Sequence, residues 1–182
     1  SVTAEGKITS IPDIANFTFS VITEGGKDIG NLQKENTEKM NKAIDFIKSN
    51  GVLAKDIKTS YYNLSPRYQY FDCGIRPYGF DQSKPCPPPE IVGYSINQTV
   101  SVKIRDFSKI GNIISGVVKN GANDVSELSF MIDDISSVEN EARVEAISNA
   151  KDKAKMIAKA GGFRLGRLLS IDEGGQNYFV RP

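Results

Sequence analysis

Between Ser136 and Gly162 the chain repeats with a helical period. Ala142, Ala146, Ala150, Ala154 and Ala158 recur at four-residue intervals, which sets them in one line along a single helix face. Ile147, Met156, Ile157 and Ala160 flank that line. Arg143, Glu145, Asn149, Lys151, Asp152, Lys155 and Lys159 fall mostly on the remaining surface. The pattern predicts a helix laid on a layer of structure, its methyl groups inward and its charges outward. Ser136 and Glu139 have the spacing of a capping box, and Gly161-Gly162 supplies residues on which helices stop.

The rest of the chain alternates between strand and helix patterns. Val2, Ala4, Gly6 and Ile8 alternate with polar residues until Pro12, and Ala15, Phe17, Phe19 and Val21 form a second alternating run. A helix follows from Asp28, a candidate N-cap, to Asn50-Gly51, with Ile29, Leu32, Met40, Ala43, Ile44 and Ile47 on one face. Asn36 interrupts this stripe, either as a polar residue at its margin or as a donor to neighbouring backbone. A third strand is predicted over Ile57–Leu64. Tyr94, Ile96, Val100, Val102 and Ile104 mark the longest strand pattern. Asp106 is placed to cap a helix bearing Phe107, Ile110, Ile113, Ile114 and Val117, which Asn120-Gly121 ends. Gly111 and Gly116 each cost that helix about 1 kcal/mol relative to alanine, so both predict close approach to a neighbour. Leu128, Phe130 and Ile132 form a strand before the alanine-lined helix, and Leu165–Ile171 a last one after it.

The expected fold class is α+β: a mainly antiparallel sheet with three packed helices in the order β-β-α-β-β-α-β-α-β. A weak internal β-α-β repeat is visible. Strand, helix, Asn50-Gly51, Asp56-Ile57 and strand echo strand, helix, Asn120-Gly121, Asp124-Val125 and strand. Length fits a single domain over 1–182, with a Pro/Tyr/Cys-rich loop insertion at about 65–90. That stretch holds Tyr68, Tyr70, Phe71, Cys73, Tyr78, Phe80 and Cys86 and runs into Pro87-Pro88-Pro89, a composition unsuited to helix or central strand.

Composition removes several chemistries. The chain contains no histidine, which excludes imidazole acid-base catalysis, histidine triads and HExxH zinc sites encoded within it. Lysine plus arginine total 23 against 22 acids, a formal charge of +1, so net charge gives no help to nucleic-acid or anionic-membrane binding. The basic run Lys151, Lys153, Lys155, Lys159, Arg164 and Arg167 lacks interleaved aromatics and reads as a solvated face. Asp133, Asp134, Glu139 and Glu141 bracket a helix start, where negative charge complements the macrodipole, and they lack the glycine punctuation of a calcium loop. Gly25 and Gly30 begin a phosphate-loop spacing that fails at Asn31-Leu32, where lysine and a hydroxyl residue belong. No cofactor or catalytic constellation is predicted. Cys73 and Cys86 lack the further ligands a metal would need; they fit a local disulfide, the alternative being two unpaired thiols in a surface loop. Tyr68, Tyr70, Phe71, Tyr78 and Phe80 are the candidate recognition or assembly residues, since tyrosine and phenylalanine make ordered contacts at low entropic cost. The alternative is a lid over the protein's own sheet.

These features resemble the SIMPL-domain family of exported bacterial proteins, which includes periplasmic immunogenic and oxidative-stress-defence-like members. The resemblance rests on Val2-Thr3-Ala4-Glu5-Gly6, Pro12-Asp13-Ile14-Ala15, Gly51 with Asp56-Ile57-Lys58-Thr59, and Leu64-Ser65-Pro66-Arg67-Tyr68. It continues in Ile91-Val92-Gly93-Tyr94, Gly121-Ala122-Asn123, Glu141-Ala142-Arg143, and Gly161-Gly162 with Leu165-Gly166. It implies an extracytoplasmic protein, periplasmic or at the cell surface, that self-associates into a homo-oligomer and carries no established catalytic residues. A signal or anchor would lie outside this sequence. The expected partner is therefore a second copy, with no nucleic acid and with membrane contact only through such an anchor. From a different class comes an extracytoplasmic binding module that captures a peptide, glycan or small molecule through the aromatic loop.

Overall fold

The computed structural model describes residues 1–71 and 86–174. Its elements are β1 (Ile14–Gly25), α1 (Ile29–Ser49), β2 (Ile57–Gln69), β3 (Glu90–Ile104), α2 (Ile110–Lys119), β4 (Asp124–Val125), β5 (Ser129–Met131) and α3 (Ile135–Gly161). The chain divides into two compact units, Ala15–Ser129 on one hand and Ser1–Ile14 with Phe130–Pro182 on the other.

In the first of these units the two clearest alternating runs pair with each other. β1 and β3 are antiparallel, with Ala15 opposite Ile104, Phe17 opposite Val102 and Phe19 opposite Val100. Directly opposed residues share a face, so these side chains make one apolar surface. Met40, Ala43 and Ile47 of α1 and Ile113 and Val117 of α2 complete a single buried cluster with them. Full burial of side chains of this size is worth about 1.5–3 kcal/mol each, so this cluster dominates the stability of the unit. The opposite face is polar: Ser20 and Thr99 hydroxyls lie 2.8 Å apart, and Ser101 Oγ donates to Asn16 Oδ1 at 3.1 Å.

The sheet order is β2-β3-β1-β4, with β5 also pairing with β1. Each β-α-β half is thereby split by a strand of the other half, the ferredoxin-like arrangement, and the internal echo in the sequence has its counterpart in the topology. The α+β class, an antiparallel sheet with three helices, is as the sequence predicts, and the sheet has five strands.

Several details differ from expectation. β2 continues past Leu64 to Gln69 and carries Pro66 within it, which an edge strand tolerates because a proline nitrogen can face away from the ladder. Gly116 is buried against Phe46, as close approach predicts, but a methyl group at Gly111 would meet nothing within 4 Å. Asn36 lies fully inside, where its Nδ2 donates to Val21 O at 2.9 Å and to Thr23 Oγ1 at 3.0 Å and ties α1 to β1.

In the other unit α3 is continuous from Ile135, and its N-cap is Asp134, whose carboxylate accepts from Ser137 N at 3.2 Å. Ser136 therefore lies inside the helix rather than capping it. Gly162 ends α3 with φ of 70°, as Gly161-Gly162 predicts. The alanine line is the more buried side of α3, and Ala158 is buried. Within this unit it meets an extended N-terminal segment. A Cβ at Gly6 would collide with the backbone of Ala142 and Ala146. Asn149 Nδ2 donates to Glu5 O at 3.0 Å, Lys153 Nζ to Thr3 O at 2.9 Å, and Lys7 N to Glu145 Oε2 at 2.9 Å. Residues 2–8 and 165–171, both expected as strands, run without ladder pairing.

Candidate recognition and assembly surface

The candidate aromatic residues are positioned by the β2-β3 hairpin. β1 ends at Gly25, opposite Tyr94, but β3 and β2 continue past it as a two-stranded arm that pairs Arg67 with Gly93, Tyr68 with Ile91 and Gln69 with Glu90. A Cβ at Gly93 would strike the Gly25 carbonyl, so the arm leaves the sheet at the one residue small enough to pass there. Arg67 Nη2 lies 3.4 Å from Glu24 Oε2, which fixes the root of the arm to the end of β1.

Tyr68 and Tyr70 sit at the end of this arm with ring centroids 6.3 Å apart and planes tilted by 46°, an aromatic pair in ordinary contact geometry. Tyr70 is 74% exposed, and Phe71 and Tyr68 are also exposed. Tyr68 and Tyr70 are thus in contact, and Phe71 follows Tyr70 directly in the chain. Tyr78, Phe80 and Cys73 lie outside the described residues, and with them the pairing of Cys73 with Cys86; Cys86 Sγ is 3.6 Å from Phe71 O.

Sequence reasoning passed over two residues of the same strand. Tyr61 and Tyr62 are each 51% exposed. Neighbours on a strand point to opposite faces, so β2 is uncovered on both sides at this place. The signal was present as a tyrosine pair inside a strand pattern, but its meaning depends on β2 being at the sheet edge.

Of the acidic group, Asp134 caps α3 and Asp133 N donates to Asp13 Oδ1 at 2.8 Å. Asp56 is buried and held in a fork by Arg105, Nε to Oδ2 and Nη2 to Oδ1, both at 3.1 Å. A cavity of about 90 Å³ adjoins this pair and is also lined by Asn50, Lys103 and Lys109. An open groove of about 570 Å³ along α3 is lined by Ser137, Asn140, Glu141, Val144, Glu145 and Ser148. Among the described residues no three His, Cys, Asp or Glu side chains converge as metal ligands, and no helix is long and apolar enough to cross a membrane.

Residues 1–182 match the SIMPL family, described as a protein of unknown function (DUF541). The chain is 35% identical to a 26 kDa periplasmic immunogenic protein of Brucella melitensis biotype 1 over 173 residues, 95% of this chain and 65% of that one. It is 27% identical to the uncharacterized protein YggE of Escherichia coli (strain K12) over 175 residues, 96% of this chain and 65% of that protein. The chain thus spans about two thirds of the length of these relatives. A match over its whole length places the chain in the SIMPL family.

Proposed function

We propose that this protein is an exported, non-enzymatic envelope or cell-surface protein that works as a homo-oligomer. The periplasmic name of the Brucella relatives supports an extracytoplasmic site of action. The lack of histidine, and the use of the Asp134 carboxylate to cap α3, support a non-catalytic role without a cofactor.

Self-association is carried by one observation. Leu165, Leu168, Leu169 and Ile171 are all more than half exposed, with Leu169 at 83%. Single exposed leucines are ordinary on a protein surface, but this many in one short stretch, exposed among the described residues, support a contact with a second copy. Light scattering across a wide concentration range is expected to give a mass above that of one chain, and lysine at Leu168 and Leu169 to lower it. A monomeric mass at every concentration overturns the reading. The proposed Cys73–Cys86 bridge predicts an intact mass two hydrogens lower before reduction than after, with the assembly unchanged by alkylation of the oxidised protein.

A second reading is favoured by the exposed tyrosine pair: an extracytoplasmic module that captures a peptide, glycan or small molecule on the arm. Alanine at Tyr68, Tyr70 and Phe71 would then abolish ligand capture and leave the native mass unchanged. Loss of mass without loss of binding assigns these rings to assembly instead.

A further inference from the structure

We infer that the outer edge of β2 is a contact between two copies of this chain, formed by antiparallel pairing of residues 61–65 across a two-fold axis. This names a second surface for the self-association proposed above and rests on that reading.

β2 is the outermost strand beyond β3 and runs from Ile57 to Gln69. Among the described residues no strand pairs with its outer edge, and an open edge of this length is a template for another strand. Charge, proline and bulges are the usual guards on such an edge, and here they stand at its two ends. The register with β3 jumps between Thr59 and Tyr61, leaving Ser60 as an extra residue, and jumps again between Arg67 and Tyr68. Lys58 and Arg67 flank the run Thr59-Ser60-Tyr61-Tyr62-Asn63-Leu64-Ser65-Pro66, which carries no charge. The open window thus lies between the Ser60 bulge and Pro66, and its midpoint is Asn63.

The direction of the backbone follows from Pro66. It has no N–H to give β3 although it is in register with Tyr94, so its nitrogen faces outward. Alternation then turns the N–H and C=O groups of Tyr62 and Leu64 outward as well. Pairing centred on Asn63 sets Tyr62 of one copy opposite Leu64 of the other, each pair exchanging both backbone bonds. Tyr62 and Leu64 are in register with Gln98 and Ile96, on the face that carries the helices. They make an apolar cross-strand pair there. On the polar face Tyr61 meets Ser65, and Asn63 meets its own copy. No like charges oppose each other. Symmetry closes the contact at two chains, because on the far side of the sheet β4 and β5 offer only two and three residues for a further strand.

Light scattering on the full chain tests this with Tyr62→Lys and Leu64→Lys combined, which opposes lysines across the axis. The native mass is expected to fall by half or more. Asn63→Cys, made with Cys73→Ser and Cys86→Ser, is expected to form a disulfide-linked dimer on mild oxidation. A non-hydrogen-bonded antiparallel pair holds its Cα atoms about 4.5 Å apart, within disulfide reach. Tyr61→Cys in the same background faces serine and is expected to stay uncrosslinked. If the unaltered protein assembles while the lysine pair keeps its mass and Asn63→Cys gives no dimer, the β2 contact is wrong and self-association stands. If the unaltered protein is monomeric at all concentrations, both fall. The cysteine variant decides the matter even where the lysine variant loses its cooperative melt.

Discussion

A methyl group added at Gly116 would collide with the ring of Phe46, whereas at Gly111 it would enter open space. The two glycines pay the same backbone entropy in α2, so alanine at each separates packing from propensity. Gly111→Ala is expected to raise stability by about 0.5–1 kcal/mol, and Gly116→Ala to lower it by about 1–3 kcal/mol because Phe46 must leave its site. Urea unfolding midpoints of the two variants should move in opposite directions. At the other end of this segment Ser108 donates its hydroxyl to Asp106 Oδ1 at 2.6 Å. With the Ser108 N–H and nearby Lys109, that bond holds the Asp106 carboxyl below its ordinary value. A group whose folded value is the lower one stabilises at pH above its unfolded value and loses that contribution as pH falls through the folded value. Amide signals of Phe107 to Ile110 are therefore expected to shift at more acid pH than those beside an ordinary aspartate. Asp106→Asn should remove that acid transition while leaving the rest of the titration unchanged.

At the scale of elements, what periodicity reveals is the conformation of a segment and not its partner. The alternation of Val2 to Ile8 predicts extended backbone, and the segment is extended, but α3 side chains satisfy residues 3–7 where a neighbouring strand was expected. Asn149 and Lys153 are exposed, as their polarity predicts, and both also donate to this backbone. The extent of α3 and its glycine stop were legible because they depend on local rules. Its cap was not, since Asp134 and Ser136 are both acceptable capping residues and only the chain's entry angle chooses between them. In β2 the Ser60 bulge puts Thr59 and Tyr62 in register with Val100 and Gln98 on one face, where unbroken alternation would oppose them. The exposed tyrosines thus became a candidate surface only once strand order was known. The contact at Gly6 gives this scale its prediction. Gly6→Val cannot keep the segment against Ala142 and Ala146. Hydrogen exchange at the Lys7 amide should rise to the rate of unprotected backbone, while α1 and β3 amides keep theirs.

Across the whole molecule, burial is unequally shared. Every member of the main apolar cluster lies between Ala15 and Ala122, inside the unit Ala15–Ser129. That unit holds both central strands, both helices packed on them and the hydrogen bonds of Asn36, and so carries a core of its own. The other unit buries only Ile14 and Ala158 among its described apolar residues, and its long helix is held to residues 3–7 largely by polar bonds. Polar bonds of this kind contribute about 0.5–1.5 kcal/mol each, too little to offset the ordering of a helix and two extended segments. A chain of residues 15–129 alone is therefore expected to melt cooperatively with native-like amide dispersion. Residues 130–182 alone should show weak helicity and no cooperative transition. Limited proteolysis of the full chain should accordingly cut within the exposed residues 165–171, outside any element, before it cuts within β1 or β3. Were the 15–129 fragment to expose its core, by strong dye binding and collapsed dispersion, the apolar cluster would be shown to need the terminal segments for its closure.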